Sequence, residues 1–374
     1  MTHAVSWTPV AQDGAARAGI LSLTHGEVET PTFMPVGTRA AVKGLDSTDV
    51  RAVGARMVLA NTYHLMLRPG AEVVDELGGL HGFMGWDGPI LTDSGGYQIF
   101  SLDPKVDEDG ATFRSTYDGA LVRLTPEEAM RVQQLLGPDV AMILDVLVGL
   151  PNTPEVVGAA LEQTLRWSER ALAAHTRVDQ ALFGIIQGGV DSALRAHSAR
   201  ATEALGFSGF GIGGLAVGEE PHERNAALEA TFPELPDHKP RYVMGLGDPE
   251  GVLDAVARGA DLFDCVWPTR LARHGKILTA GGDYNLRRAE FIRDPRPLAE
   301  DCPCHACSTV SRAYLRHLLA TNELTVFRLV SMHNLTFTLS LLAEARRAIV
   351  EGRFPEHHAA VVERRRRAGV APTL

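Results

Sequence analysis

A chain of 374 residues and 40.3 kDa corresponds to about two and a half domain-sized units, so one large α/β domain with an appendage and two separate domains both fit. Hydrophobic residues at 45%, charged residues at 22% and a mean hydropathy of −0.02 exclude wholesale disorder and a multi-span membrane protein, and four cysteines exclude a disulfide-built scaffold. A formal charge of −10 argues against an all-over nucleic-acid coat.

Met1 to Val10 has neither the cationic start nor the apolar run of a secretory signal, and no stretch of about eighteen residues escapes charge. The chain is expected to be cytoplasmic and to make no membrane contact. Short apolar runs rich in Val and Ile then alternate with helical stretches. ARMVLANTYH and GPILTDSGGYQIF come first. PDVAMILDVL precedes a long helix around PEVVGAALEQTLRWSERALAAHTR, ALFGIIQGG precedes DSALRAHSARATEALG, and FGIGGLAVG precedes HERNAALEATF. RYVMGLG precedes PEGVLDAVARG, and ADLFDCVWPTR closes the series. This alternation implies a parallel sheet, and strands that are apolar throughout suit a sheet covered on both faces. An open doubly wound sheet and a closed (β/α) barrel both produce the pattern. The barrel is favoured because about seven or eight strands fit before residue 270, with polar residues recurring at strand C-termini.

Those strand ends carry Asp93, Asp145, Gln187, the backbone of Gly213 to Leu215, Met244 and Asp264, and a barrel brings them to one mouth. Singly, an Asp after a strand is most often a helix cap or a turn former; recurrence on strand after strand is what points to a site. Two carboxylates in one mouth offer a nucleophile and an acid/base, the pairing used on glycosidic bonds. Two other motifs carry less. Asp93-Ser94-Gly95-Gly96 resembles the surroundings of a protease serine, but that chemistry needs His and Asp partners on a different scaffold. Gly209, Gly211 and Gly214 satisfy G-x-G-x-x-G, yet they do not open a helix after a strand as a dinucleotide fingerprint must; close approach of the backbone to something flat is the better use.

Toward the C-terminus, Cys302, Cys304 and Cys307 fall within six residues. Three thiolates and one imidazole make a closed zinc set with no open position, hence a structural one. His305, His317 and His333 are the candidate fourth ligands, and His305, inside the knuckle itself, is poorly placed. Cys265 stands apart and is expected to be buried packing. Charge is also uneven here. Up to Asp264 there are 19 basic and 36 acidic residues (net −17); from Cys265 onward there are 17 basic and 10 acidic (net +7). Arg supplies most of those cations and suits phosphate, although the run Arg364 to Arg367 alone reads as a solvated last helix.

The motifs HGEVETPTFMPVGT, NTYHLMLRPG, LTDSGGYQIFSL, IIQGG, GIGGLAVGE, YVMGLG, DLFDCVWPTR, CPCHAC and MHNLTF follow one another between residues 25 and 337. Together they resemble the bacterial tRNA-guanine transglycosylases (queuine tRNA-ribosyltransferases). The resemblance implies a (β/α)8 TIM barrel with a zinc-binding subdomain inserted near the C-terminus, working as a homodimer on tRNA. The expected division is a barrel over 1–285, a zinc-binding subdomain over 286–345, and an Arg-rich helical segment over 346–374 that completes the barrel. One structural Zn2+ per subunit is implied on Cys302, Cys304, Cys307 and His333.

Transferred by motif, Asp264 is the nucleophile at the anomeric carbon of the wobble nucleotide and Asp93 the general acid/base. Asp145 and Gln187 hydrogen-bond the purine-like edge, the Gly214 and Leu215 backbone reads its other polar atoms, and Tyr97 and Met244 sandwich the ring. Thr269, Arg270 and Arg273 fall where the family grips an anticodon loop around U-G-U. One segment departs from the pattern. Where bacterial members read Asp-Glu-Cys, this chain has Asp145-Val146-Leu147. The expected incoming base is 7-aminomethyl-7-deazaguanine (preQ1), with Glu219 near its ammonium; queuine is the alternative base, and a non-catalytic tRNA-binding subunit the alternative role. A metal-dependent barrel hydrolase fits poorly, because the cysteine-rich cluster is remote in sequence from the strand ends.

Overall fold

The computed structural model describes residues 5–368. The first four residues of the N-terminal stretch and of the expected 1–285 segment, and the last six of the expected 346–374 segment, lie outside the described residues.

Eight parallel strands close into a barrel: β1 (Thr32–Gly37), β2 (Val58–Ala60), β3 (Ile90–Thr92), β4 (Val140–Met142), β5 (Ala181–Ile186), β6 (Gly209–Ile212), β7 (Arg241–Val243) and β8 (Leu262–Cys265). Closure is made by β8 on β1, with Leu262 opposite Thr32 and Asp264 opposite Met34. The strands are short and buried on both faces, as in β5, where all six residues of ALFGII are covered. Six of the eight lie within the runs expected from the sequence, and a seventh, β6, starts one residue ahead of its run. The eighth, β1, hides in PTFMPVG, because Pro31 and Pro35 demote a run as a strand when it is read locally.

The helices between strands form where cap and stripe agree. Thr153 accepts the Val156 N–H ahead of Pro154, and the helix Pro154–Ala174 then buries Val157, Ala160, Leu161, Thr164, Trp167, Ser168 and Ala171 at helical spacing. Asp191 and Asp248 cap the helices after β5 and β7 in the same way.

Two three-stranded antiparallel sheets, and a two-stranded pair of Lys276–Ile277 with Tyr284–Asn285, were not expected. Val5–Asp13, Ala16–Leu23 and Gly26–Thr30 form one, which covers the end of the barrel where the strands begin. Trp7, Leu21 and Val28 add to the barrel core there, and buried Arg17 forks onto Asp261 at 2.7 and 2.9 Å just before β8. The other sheet, Lys105–Asp107, Gly110–Arg114 and Leu121–Leu124, is inserted after β3.

After β8 and the short helix Trp267–Arg273, the chain leaves the barrel, builds the cysteine-bearing segment, and returns along one helix, Leu324–Val350. This helix packs on β1 and on Trp267–Arg273. Its first turns, Val326, Leu329 and Val330, lie in a small core with Leu298, Leu315 and Leu319, while Met332, Leu335, Leu342, Ala345 and Ile349 lie in the barrel core. Among the described residues it is the one helix long and apolar enough to cross a membrane, and 67% of that stretch is buried inside the protein.

The Arg run is not uniformly solvated. In the last helix, Phe354–Arg367, Arg366 and Arg367 face solvent and pair with Glu363, but Arg365 is 1% exposed. Its guanidinium donates to the Thr279 carbonyl at 3.1 Å and to the Asp283 carboxylate at 3.1 and 3.2 Å. Arg365→Ala is therefore expected to cost about 3 kcal/mol, since the buried Asp283 carboxylate keeps only Lys276, 3.7 Å away, while Arg366→Ala stays within about 0.5 kcal/mol. Urea unfolding of the two variants checks the contrast.

Candidate active site

At the C-terminal ends of the strands lies a cavity of about 260 Å³ lined by Asn61, Asp93, Tyr97, Asp145, Leu147, Leu215, Tyr242, Met244, Asp264 and Cys265, among others. A larger groove of 830 Å³ opens beside Trp7, Arg17 and Arg241, at the other end of the barrel and away from the paired carboxylates.

Asp93 follows β3 directly. Its carboxylate accepts the Thr62 N–H at 2.9 Å, the Gly95 N–H at 3.1 Å and the Asn61 side-chain amide. Burial, with a further contribution from the charge of Asp264, nevertheless pushes its pKa up to about 7. Asp264 lies within β8 and accepts the Tyr242 hydroxyl at 2.5 Å and the Gly245 N–H at 2.8 Å. Burial raises its pKa and those two donors oppose the rise. Burial thus disfavours both anions, and Asp93 is pushed further toward the neutral acid by the Asp264 charge, while Asp264 keeps a phenol and a backbone amide on its anion. This is the division required between a nucleophile and a proton donor.

Asp145 and Gln187 form one unit. The Gln187 amide donates to Asp145 at 2.6 Å and Ser94 donates to the other oxygen at 3.3 Å; burial pushes the Asp145 pKa up to about 6. Gln187 is itself buried. Gly214, at φ +65°, and Gly96 complete this wall. A Cβ on Gly214 would lie 2.3 Å from the Gln187 side-chain oxygen Oε1, and one on Gly96 would lie 2.7 Å from the Asp145 carboxylate, so both positions exclude a side chain. Tyr97 is 60% exposed at one side of the cavity and Met244 lines it too.

Four side chains that hold this geometry were not singled out in the sequence. Asn61 and Tyr242 set the two carboxylates, Ser94 braces Asp145, and Arg195 holds the floor. Arg195 is fully buried and donates to the carbonyls of Ile186, Gly189, Gly213 and Gly214. Asn61 had a signal, as a polar residue ending an apolar run; Arg195 had none, because a cation in the first turn of a helix reads as a solvated side chain. Cys265 corrects an expectation: it is half-buried and lines the cavity beside Asp264, where burial and that carboxylate push its thiol up to about 12. Glu219 is outside the lining; its carboxylate accepts the Ala216 and Val217 N–H groups at 2.6 and 3.0 Å. Beyond Asp264, Arg270 is exposed and Arg273 half-buried, whereas Thr269 is 6% exposed and spends its hydroxyl on the Val266 carbonyl.

The cysteine cluster is remote from this cavity in sequence and packs on the helix Leu324–Val350. Ligating atoms of Cys302, Cys304, Cys307 and His333 lie within 4.8 Å of one another, a set that can hold a metal ion. His333 is buried, with Nδ1 3.3 Å from the Cys307 sulfur and Nε2 2.9 Å from the Leu278 carbonyl. A proton on Nε2 donated to that carbonyl leaves the Nδ1 lone pair facing the thiols, the orientation a metal-bound imidazole needs. His305, by contrast, is exposed.

The model of the family described as queuine tRNA-ribosyltransferase matches residues 12–367. A protein named queuine tRNA-ribosyltransferase from Herpetosiphon aurantiacus is 50% identical over 351 residues, covering 93% of this chain and 90% of its own length. One of the same name from Moorella thermoacetica is 50% identical over 365 residues, covering 96% and 98%, and one from Desulforamulus reducens is 51% identical over 344 residues, covering 91% and 93%.

Proposed function

We infer, from the premise that this chain belongs to the queuine tRNA-ribosyltransferase family and is thus a pentosyltransferase acting on tRNA, that it exchanges the wobble guanine of a U-G-U anticodon loop for preQ1 through a covalent ribosyl-aspartate. The observation that carries this is the pair Asp93 and Asp264 on one small cavity, where burial raises both carboxyl pKa values and the Asp264 charge adds to the rise at Asp93.

The Asp264 carboxylate attacks C1′, the bond from C1′ to the guanine nitrogen breaks with its electron pair going to the base, and Asp93 supplies the proton that neutralises the departing guanine. The incoming base then loses its ring N–H proton to the Asp93 carboxylate, its nitrogen attacks C1′, and Asp264 departs. Two displacements retain configuration at C1′. Asp145, Gln187 and the Gly214 and Leu215 backbone read the edge of the bound base, while Tyr97 and Met244 cover its faces. Arg270 and Arg273 meet the anticodon loop beside the mouth, with Thr269 shaping their helix. A structural Zn2+ on Cys302, Cys304, Cys307 and His333 staples the segment after β8, and the working form is a cytoplasmic homodimer.

Queuine remains the second reading because Leu147, where the bacterial motif has Cys, gives the cavity an apolar wall, and because Glu219 must release two backbone N–H groups to meet an aminomethyl ammonium. tRNA charged with labelled guanine decides between the bases. Efficient label release by preQ1 supports the first reading; release by queuine alone overturns it. For the metal, Cys304→Ser is expected to lose zinc, measured by elemental analysis, and to lower Tm while leaving residual exchange in the folded fraction. A fully zinc-loaded variant of unchanged Tm would remove Cys304 from the ligand set.

A further inference from the structure

At the end of the barrel opposite the cavity, three segments meet around one carboxylate. Asp139 stands immediately before β4, His25 lies in the turn between Ala16–Leu23 and Gly26–Thr30, and His81 lies in the short helix Gly79–Met84. The ligating atoms of the three residues lie within 4.8 Å of one another. His25 Nδ1 is 2.9 Å from Asp139 Oδ1 and His81 Nε2 is 3.2 Å from Oδ2. The two imidazoles stack face to face, with centroids 3.5 Å apart and planes at 19°.

The carboxylate is held independently of both rings. Its side chain is fully buried, Oδ1 accepts the His25 N–H at 2.8 Å, and Oδ2 accepts the Ile90 N–H at 2.8 Å. Each oxygen keeps a second lone pair on the imidazole side, and the backbone fixes where it points, as outer hydrogen bonds do for metal-ligating carboxylates. The His25 N–H ties the hairpin to Asp139 and the Ile90 N–H ties β3 to it, so neither join needs a ring. The site is also reachable, since the His25 side chain is 40% exposed and that of His81 13%.

We propose that His25, His81 and Asp139 form a second metal site, which binds a divalent transition metal of the zinc, nickel and copper type and leaves a coordination position to water. Two neutral imidazoles and one carboxylate are a donor set suited to these ions and unsuited to Ca2+ or Mg2+, which favour oxygen. The site differs from the cysteine cluster in lacking sulfur and in facing solvent. An ion here clamps the hairpin around His25 to the strands it covers, and so stabilises the folded chain by mass action.

The test is a Ni2+ titration of tag-free, full-length protein whose cysteine cluster is already loaded with zinc. One further equivalent of Ni2+ per chain is expected, with no thiolate-to-nickel charge-transfer band and with a Tm raised by a few degrees. The variant H25Q/H81Q, which keeps Asp139 and both backbone bonds, is expected to lose that equivalent and the Tm rise while retaining its zinc. H25Q alone, at an exposed side chain, is expected to weaken binding at least tenfold. Absence of a further equivalent in the unmodified protein, or undiminished uptake by H25Q/H81Q or H25Q, overturns the proposal.

Discussion

Asp264→Asn is expected to abolish base exchange, by roughly 10⁴-fold or more, as removal of a covalent nucleophile does, and to eliminate the protein–RNA adduct on denaturing gels. The amide matches the carboxylate in shape and keeps hydrogen-bond acceptance from Tyr242 and Gly245, so the loss reports nucleophilicity rather than collapse of the cavity. The variant also has a second signature. Asp93 is held near 7 partly by the Asp264 charge, and removing that charge lets the Asp93 pKa fall toward the carboxylate range. An adduct that persists in Asp264→Asn would transfer the nucleophile role to another residue.

Asp93→Asn is expected to lower exchange by roughly 10²–10⁴-fold, the range for a lost general acid or base, and to remove a pH dependence. With a pKa of about 7, Asp93 carries its proton below that pH. Single-turnover release of guanine in the absence of incoming base should fall as pH rises above about 7 in the parent chain and be flat in Asp93→Asn. Stability gives an independent reading with a definite sign. The folded pKa lies above the unfolded value of about 3.9, so the neutral form favours the fold at low pH and that advantage is lost as pH rises from about 4 to about 7. Unfolding by urea at pH 5 and pH 8 should show a smaller difference in Asp93→Asn than in the parent. A pH profile of guanine release that is unchanged by the substitution would place the proton elsewhere.

Much of this cavity was legible because its polar side chains stand at strand ends. Asp93, Asp145, Gln187, Met244 and Asp264 each follow or finish an apolar run, and the alternation of strand and helix already brings such positions together. The cysteine cluster was legible from cysteine spacing. The supporting residues were not. Tyr242 lies inside β7, where an aromatic reads as core, and its hydroxyl finds Asp264 only because β7 and β8 are neighbours. Arg195 reads as one more helical cation, yet it reaches four carbonyls from two different loops. The N-terminal sheet escaped because its first strand, VSWTPVAQD, has no clean alternation and carries Pro9 at an irregularity in the ladder.

The helix Leu324–Val350 gives the molecule one melting unit where its chemistry suggests two. It contributes Val326, Leu329 and Val330 to the core beside the cysteines and Met332, Leu335 and Ile349 to the barrel, without a break. Its middle turn carries His333 next to Asn334, and Asn334 bonds Pro268, Lys276 and Leu278 just past β8. With the metal proposed above bound at the cysteines, a chelator acting there thus disturbs a helix that also holds the segment following Asp264. Calorimetry of metal-stripped protein should show a single shifted endotherm, and loss of the ion should register as slower chemistry at a cavity the ion never touches.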